Sequence, residues 1–220
     1  MLEPQELLLN LINHIPRLKA DWYAKECIME MKEAHYRNWK QTEWVGFYLE
    51  YLTENINIPG VANLRLFVGH TTFNGCAGKN VIDYKTSSSD SDIILNDQEA
   101  MSRVVQKYRE LGYVILKGDV IREEANELDL WRQSLTGKSP YVIYGETTGR
   151  RHRKLKVIFA PVRIIYIPIT KTNIKRLKTF NQGVNSDGNP RNPKYILPNA
   201  LLHECQSAEI IFSNNSEEVS

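Results

Sequence analysis

The chain is predicted to adopt a mixed α/β fold, a central sheet flanked by helices, and three observations carry that expectation. Residues 5–36 are rich in Leu, Ala, Met, Glu and Lys, a helical composition broken once by Pro16. After Pro59 the texture changes, and Leu64, Leu66 and Val68 recur at period two, the spacing of a strand. Farther on, a helical stripe of Met101, Val104, Val105 and Tyr108 is followed directly by the apolar run Tyr113 to Leu116, so helix and strand alternate.

Taken in order, residues 5–36 give two helices or one helix kinked at Pro16. Thr42 to Leu52 continues as a third helix that ends before Pro59-Gly60. Val61 to Phe73 reads as a strand, Asn74-Gly75 as its turn, and Lys79 to Thr86 as the returning strand of a hairpin. Serines 87, 88 and 89 with Asp90 end that strand in a polar loop. The next helix runs from about Asp97 to Leu111, with Gly112 as its stop. A strand over Tyr113–Leu116, a helix within 121–135 and β-rich stretches at Tyr141–Tyr144 and Lys156–Ile169 follow, the last interrupted by Pro161. The stretch from Lys171 through the turn-rich Asn185 to Pro190 reads as a surface loop, and 213–220 as a flexible tail.

A length of 220 residues suits one domain, here 1–212, with a helical N-terminal part at 1–57 and a core at about 42–170. Apolar residues at 42% and charged residues at 25% exclude a disordered or fibrous chain. A net charge of +2 is too small to argue for a polyanionic partner, so the distribution of charge has to carry that argument. Cys27, Cys76 and Cys205 lie far apart without a C-x-x-C pair, which fits a reduced, cytoplasmic protein rather than a disulfide or zinc framework. No apolar run approaches the ~18 residues of a membrane span, and the start lacks the signature of an export signal.

The segment richest in chemistry is Val81-Ile82-Asp83-Tyr84-Lys85-Thr86. On a strand, side chains two apart project to the same face, so Asp83 and Lys85 point together. A carboxylate can hold a divalent cation while a neighbouring ammonium positions water or offsets charge on a reacting phosphate. The same pattern also describes an ordinary exposed ion pair on a strand, and only its context between a helix, a hairpin, a second helix and an apolar strand distinguishes the two.

In that context the stretch of roughly residues 42–120 resembles the PD-(D/E)xK nuclease superfamily, and more narrowly its type II restriction endonucleases. The resemblance implies an αβββαβ core with a mixed central sheet flanked by helices. It also implies an acidic residue on the first hairpin strand and the (D/E)xK residues, here Asp83 and Lys85, on the second. Gly46-Phe47-Tyr48-Leu49-Glu50 looks like the family's helical stretch ending in a glutamate, which would make Glu50 a ligand of a metal-bound water or a second ion. Its other reading is a solvated face formed by Glu43, Glu50 and Glu54. The departure is that no acid lies between Glu54 and Asp83, and Asn63 is the expected substitute. Asparagine keeps the shape of a carboxylate but not its charge, so the site is either naturally divergent or an aspartate has been replaced. His70, Asn74, His203 and Cys205 receive no role.

The resemblance further implies Mg²⁺ as cofactor, double-stranded DNA as substrate and a homodimer whose two sites face antiparallel strands. The expected DNA-contacting part is 145–212, through the basic residues Arg150, Arg151, Arg153 and Lys154 and a second group of Lys171, Lys175 and Asn185. Three other functions stay open at this point: a repair or junction-resolving nuclease on the same core, a DNA-binding module with a degenerate site, and a structural α/β protein.

Overall fold

A computed structural model of the chain describes residues 2–64, 72–108, 110–137, 154–184 and 188–212. Among these residues six α-helices and ten strands form a mixed α/β fold. Helix α1 (Pro4–His14) opens on a proline and buries Leu7, Leu8, Leu11 and Ile12 along one stripe. Pro16 then starts a 3-10 turn, Pro16–Lys19, and the two-residue strand β1 (Trp22–Tyr23) intervenes before α2 (Ala24–Glu33). The proline therefore separates two helices, because it cannot supply the N–H that a continuous helix needs there. Helix α3 (Trp44–Glu54) buries Trp44, Val45, Tyr48, Leu49 and Leu52.

The next strands are β2 (Val61–Asn63), β3 (Gly75–Ala77) and β4 (Asn80–Ser88), an antiparallel meander. Strand β5 (Ile93–Asp97) and helix α4 (Gln98–Lys107) lead into β6 (Leu111–Arg122), which pairs parallel to β4. After α5 (Glu127–Thr136) the long strand β7 (Lys156–Ile169) returns antiparallel to β6. Then come β8 (Lys178–Phe180), β9 (Lys194–Leu197), the short helix α6 (Leu202–Cys205) and β10 (Ala208–Ile211). The main sheet has the order β1-β7-β6-β4-β3-β2, with β10 also paired to β7, while β5, β9 and β8 form a second, three-stranded sheet.

Two cores lie on opposite faces of the main sheet. Helices α1, α2, α3 and α5 cover one face, where Ile82, Tyr84, Val114, Leu116, Ile164 and Tyr166 are buried. Helices α4 and α6 and the second sheet cover the other, over Val81, Tyr113, Ile115, Ile165 and Ile167. Burial on both faces explains the nearly continuous apolar runs of β6 and β7, which alternation alone would not predict.

Several expectations are corrected. Asn74-Gly75 is not the hairpin turn: Gly75 opens β3, and the chain turns at Gly78-Lys79, where Gly78 has φ +61 and Ala77 pairs with Asn80. Glycine at the first central position of a two-residue connection matches the twist of the flanking strands better than an Asn-Gly located four residues earlier. Strand β4 also runs two residues past Thr86, through Ser87 and Ser88, which pair with Lys117 and Gly118. Gly112 does not stop a helix but lies inside β6. Pro161 leaves β7 unbroken, because the register shifts beside it, from Lys117↔Arg163 to Gly118↔Pro161, and a bulge tolerates the missing N–H. The region after Thr170 contributes β8, β9 and an isolated Val184↔Pro190 bridge rather than a plain loop. Residues 65–71, Tyr141–Tyr144 and 213–220 lie outside the described residues.

Gly112 is required by a close approach. Tyr166 leans across it from β7, and its hydroxyl donates to Glu110 Oε1 at 2.8 Å. A methyl group on Gly112 would overlap the Tyr166 hydroxyl and ring. Gly112→Ala should therefore destabilise the protein by about 2 kcal/mol, seen as a fall in Tm of roughly 4–8 °C. An unchanged Tm in a thermal melt would show that Tyr166 yields without strain.

Candidate active site on the central strand

Strand β4 lies inside the main sheet, with β3 on one side and β6 on the other. Its alternation sends Ile82 and Tyr84 into the helix-side core and leaves Asp83 and Lys85 on the opposite face with Val81. Asp83 sits in register with Tyr113, and Lys85 with Ile115. The Asp83 carboxyl is only 2% exposed, whereas Lys85 keeps a quarter of its side-chain exposure. Lys85 Nζ stands 2.5 Å from Asp83 Oδ2. Oδ2 is buried, so the Lys85 ammonium meets it with little screening by solvent.

The fold brings Asn74, which sequence reasoning left unassigned, against the edge of β4 at Ile82 and Tyr84. Its N–H donates to the carbonyl of Ile82 at 3.2 Å, and its Oδ1 accepts the N–H of Tyr84 at 3.0 Å. Asn74 thus holds β4 by the residues on either side of Asp83. The side chain is 97% buried, with Nδ2 bonded to no protein group. The signal for this was present: counting back from a turn at Gly78-Lys79 pairs 77 with 80, 76 with 81 and 75 with 82, which carries the next residue, Asn74, up to β4.

Asn63 and Glu50 stand elsewhere. Asn63 pairs with Gly75, which pairs with Ile82, so Asn63 belongs to the helix-side face. There it lines a small cavity with Thr53, Glu54, Asn74 and Tyr84. Glu50 belongs to α3, over that same face, and accepts a hydrogen bond from the Tyr36 hydroxyl at 3.3 Å. Glu54, one turn later, is clasped by Arg37 through bonds of 2.7 and 3.0 Å. The expected set of four therefore separates into Asp83 with Lys85 on one face and Asn63 with Glu50 on the other, because a helix packed against Tyr84 cannot also face Asp83.

Across the strand from Asp83, Tyr113 belongs to a chain of neutral hydrogen bonds. Tyr113 gives its hydroxyl to Asn96 Oδ1 at 3.3 Å, and Asn96 Nδ2 donates to the carbonyl of Thr72 at 2.6 Å. Burial, reinforced by the charge of Asp83, pushes the hydroxyls of Tyr84 and Tyr113 up, so both stay protonated. On the same face, two residues beyond Ile115, Lys117 is fully buried beside Ser87 and Arg163. Its Nζ donates to the Ser91 carbonyl at 3.2 Å and to Asn199 Oδ1 at 2.6 Å.

Of the residues expected to meet DNA, Lys154, Lys171 and Lys175 are exposed, and Lys154 Nζ donates to the Glu124 carbonyl at 3.0 Å. Arg150, Arg151, Arg153 and Asn185 lie outside the described residues, as does His70. His203 and Cys205 belong to α6. Beside the second sheet an open polar recess of about 420 Å³ is lined by Asp97, Gln182, Arg191, Asn192 and Lys194. Among the described residues no three His, Cys, Asp or Glu side chains converge, and no helix is long and apolar enough to cross a membrane. Comparison of the chain with models of protein families, with curated proteins and with solved structures gave no match.

Lys117 generates a pH prediction. Desolvation, helped by the nearby positive charge of Arg163, lowers its pKa from 10.5 to about 8. Between these values the unfolded chain binds the proton and the folded chain does not, so stability rises with pH across that window. Lys117→Met should flatten that rise between pH 8 and 10 when denaturant unfolding of the two proteins is compared. Parallel curves would show that Lys117 titrates normally.

Proposed function

We propose that the protein is a Mg²⁺-dependent DNA endonuclease of the PD-(D/E)xK type, a type II restriction enzyme acting as a homodimer, with Asp83 and Lys85 at its catalytic centre. The observation that carries this reading is a carboxylate buried in mid-sheet and paired with the lysine two residues on, at the position where the resemblance expects the (D/E)xK residues. The run α3, β2, β3, β4, α4, β6, an αβββαβ order with β5 inserted, supports the same reading.

The donor set fits a divalent cation only in part. Asp83 offers a hard anionic oxygen, and Asn74 beside it contributes shape without charge. A bound magnesium would supply Lewis acidity and lower the pKa of its water. Asp83 would hold it, while the Lys85 ammonium, the more exposed of the pair, would meet a phosphate oxygen or orient the attacking water. Asn63, assigned the first-strand position from sequence, passes that role to Asn74. The exposed lysines 154, 171 and 175 would contact the DNA backbone.

A second reading is favoured by the same shortfall: with one carboxylate, the chain binds its DNA site and cuts slowly or not at all. Asn74→Asp separates the two. Placing a second carboxylate beside Asp83 should raise calcium affinity about ten-fold or more in isothermal titration and raise Mg²⁺-dependent cleavage in single turnover. Asn63→Asp, on β2 and separated from β4 by β3, serves as the control and should change neither. In the Asn74→Asp background, Asp83→Ala should lose cation binding, whereas Lys85→Ala should keep binding and lose the chemical step. Calcium affinity and cleavage that ignore Asn74→Asp would remove Asn74 from the site, and cleavage that survives Asp83→Ala would remove the nuclease reading.

Lys175→Ala should weaken DNA binding alike for all sequences and reduce the salt slope by about one unit. A salt slope equal to that of the parent would make this lysine a solvated surface residue.

A further inference from the structure

We propose that the cavity between α3 and β4 binds one ordered water that joins Asn74 to Tyr84 and makes Tyr84 a positioning residue for the site. The part of this that concerns the site rests on the nuclease reading; the water does not. The cavity measures about 20 Å³ and is lined by Thr53, Glu54, Asn63, Asn74, Gly75 and Tyr84. A water needs roughly 10–15 Å³ of such space and two to four polar partners. Two buried polar atoms among these residues, Asn74 Nδ2 and the Tyr84 hydroxyl, bond to no protein group. That two such groups fall on one small cavity is unexpected unless a shared partner sits between them.

The orientation of Asn74 is fixed by chemistry. Tyr84 N–H is a donor, so the atom facing it at 3.0 Å must be Oδ1, and Nδ2 necessarily turns toward the cavity. Its hydrogens exclude a cation there, and the Glu54 carboxylate lining the same space disfavours an anion. Water meets both conditions, accepting from Nδ2 and exchanging a hydrogen bond with the phenol. Tyr84 therefore holds residue 74 twice, through its backbone N–H and, by way of the water, through its side chain. Because the phenol and the water can each reverse their hydrogens, the network suits an amide or a carboxylate at position 74. In the Asn74→Asp variant both would donate to the new carboxylate and keep it ionised and in place.

Tyr84→Phe removes only the hydroxyl. If that hydroxyl bonds a water, its loss should lower Tm by about 2–4 °C; if it is a dry orphan, its removal should raise Tm or leave it unchanged, which overturns the proposal. The coupling to the site is read from calcium binding against pH in the Asn74→Asp background. Among the described residues, the charged groups around position 74 are Glu54 of α3 with its partner Arg37, and Asp83 with Lys85 on β4, while β3 contributes the Cys76 thiol. All of these are retained when Tyr84→Phe is added. One donor fewer raises the carboxylate's pKa, so the pH midpoint of calcium binding should move up by about one unit. A midpoint that does not move overturns the positioning role. If Asn74→Asp binds no calcium at any pH, the nuclease reading fails and Tyr84's role at the site falls with it, while the sign of the Tm change still decides the water.

Discussion

A carboxylate two-thirds of the way into a seven-stranded sheet is the constraint on which the surrounding structure depends. Removing Asp83 from water without a counter-charge would cost several kcal/mol. The cation comes from the same strand, Lys85 at 2.5 Å, so the pair is complete as soon as β4 is extended. No long-range contact has to form first. The strand, in turn, is held extended by β6 along eight residues and by Asn74, which bonds the residues on both sides of Asp83. Electrostatics and sheet pairing therefore support each other at one point.

The second consequence of that strand is a division of labour between its faces. Tyr84 must point opposite to Asp83, and the helices α1, α2, α3 and α5 bury it with Ile82, Leu116 and Tyr166. The face of Asp83 is covered by α4, α6 and the second sheet, and it also carries Lys117 and Arg163 farther along neighbouring strands. Any residue of α3 that takes part in events at Asp83 has to act around or through the sheet. Asn74 meets β4 at its edge, its Oδ1 on the Tyr84 N–H, and lines the helix-side cavity.

Much of this was legible in the sequence where the signal was local. Asp83 and Lys85 share a face because strand periodicity admits no other arrangement, and the break at Pro16 and the α3 and β7 segments followed from proline chemistry and apolar patterning. The errors arose where two local signals competed. Asn-Gly is a strong turn dipeptide, but Gly78 made the tighter connection, and Asn63, expected at the first-strand position, stands in line with Gly75 and Ile82. Gly112 ended a helical pattern, but its lack of a side chain serves Tyr166, a partner far outside anything a local window could weigh. The strands of the second sheet are short and polar at one face, and β5 falls directly before α4, so neither periodicity separates them.

Charge at the site also explains why the fold accommodates asparagine at position 74. With Asp83 and Lys85 alone the cluster is neutral, and the amide of Asn74 asks only for an acceptor, which a neutral partner can supply. A second carboxylate would leave one unit of uncompensated negative charge in a buried position. The folded chain without cation would then be strained by it, and that strain is what a divalent ion would relieve. The same residue that would strengthen cation binding is thus the one that would weaken the cation-free fold. The neutral phenol of Tyr84, held protonated by burial on the opposite face, is the group best placed to moderate that conflict, because it can turn from acceptor to donor without moving a heavy atom.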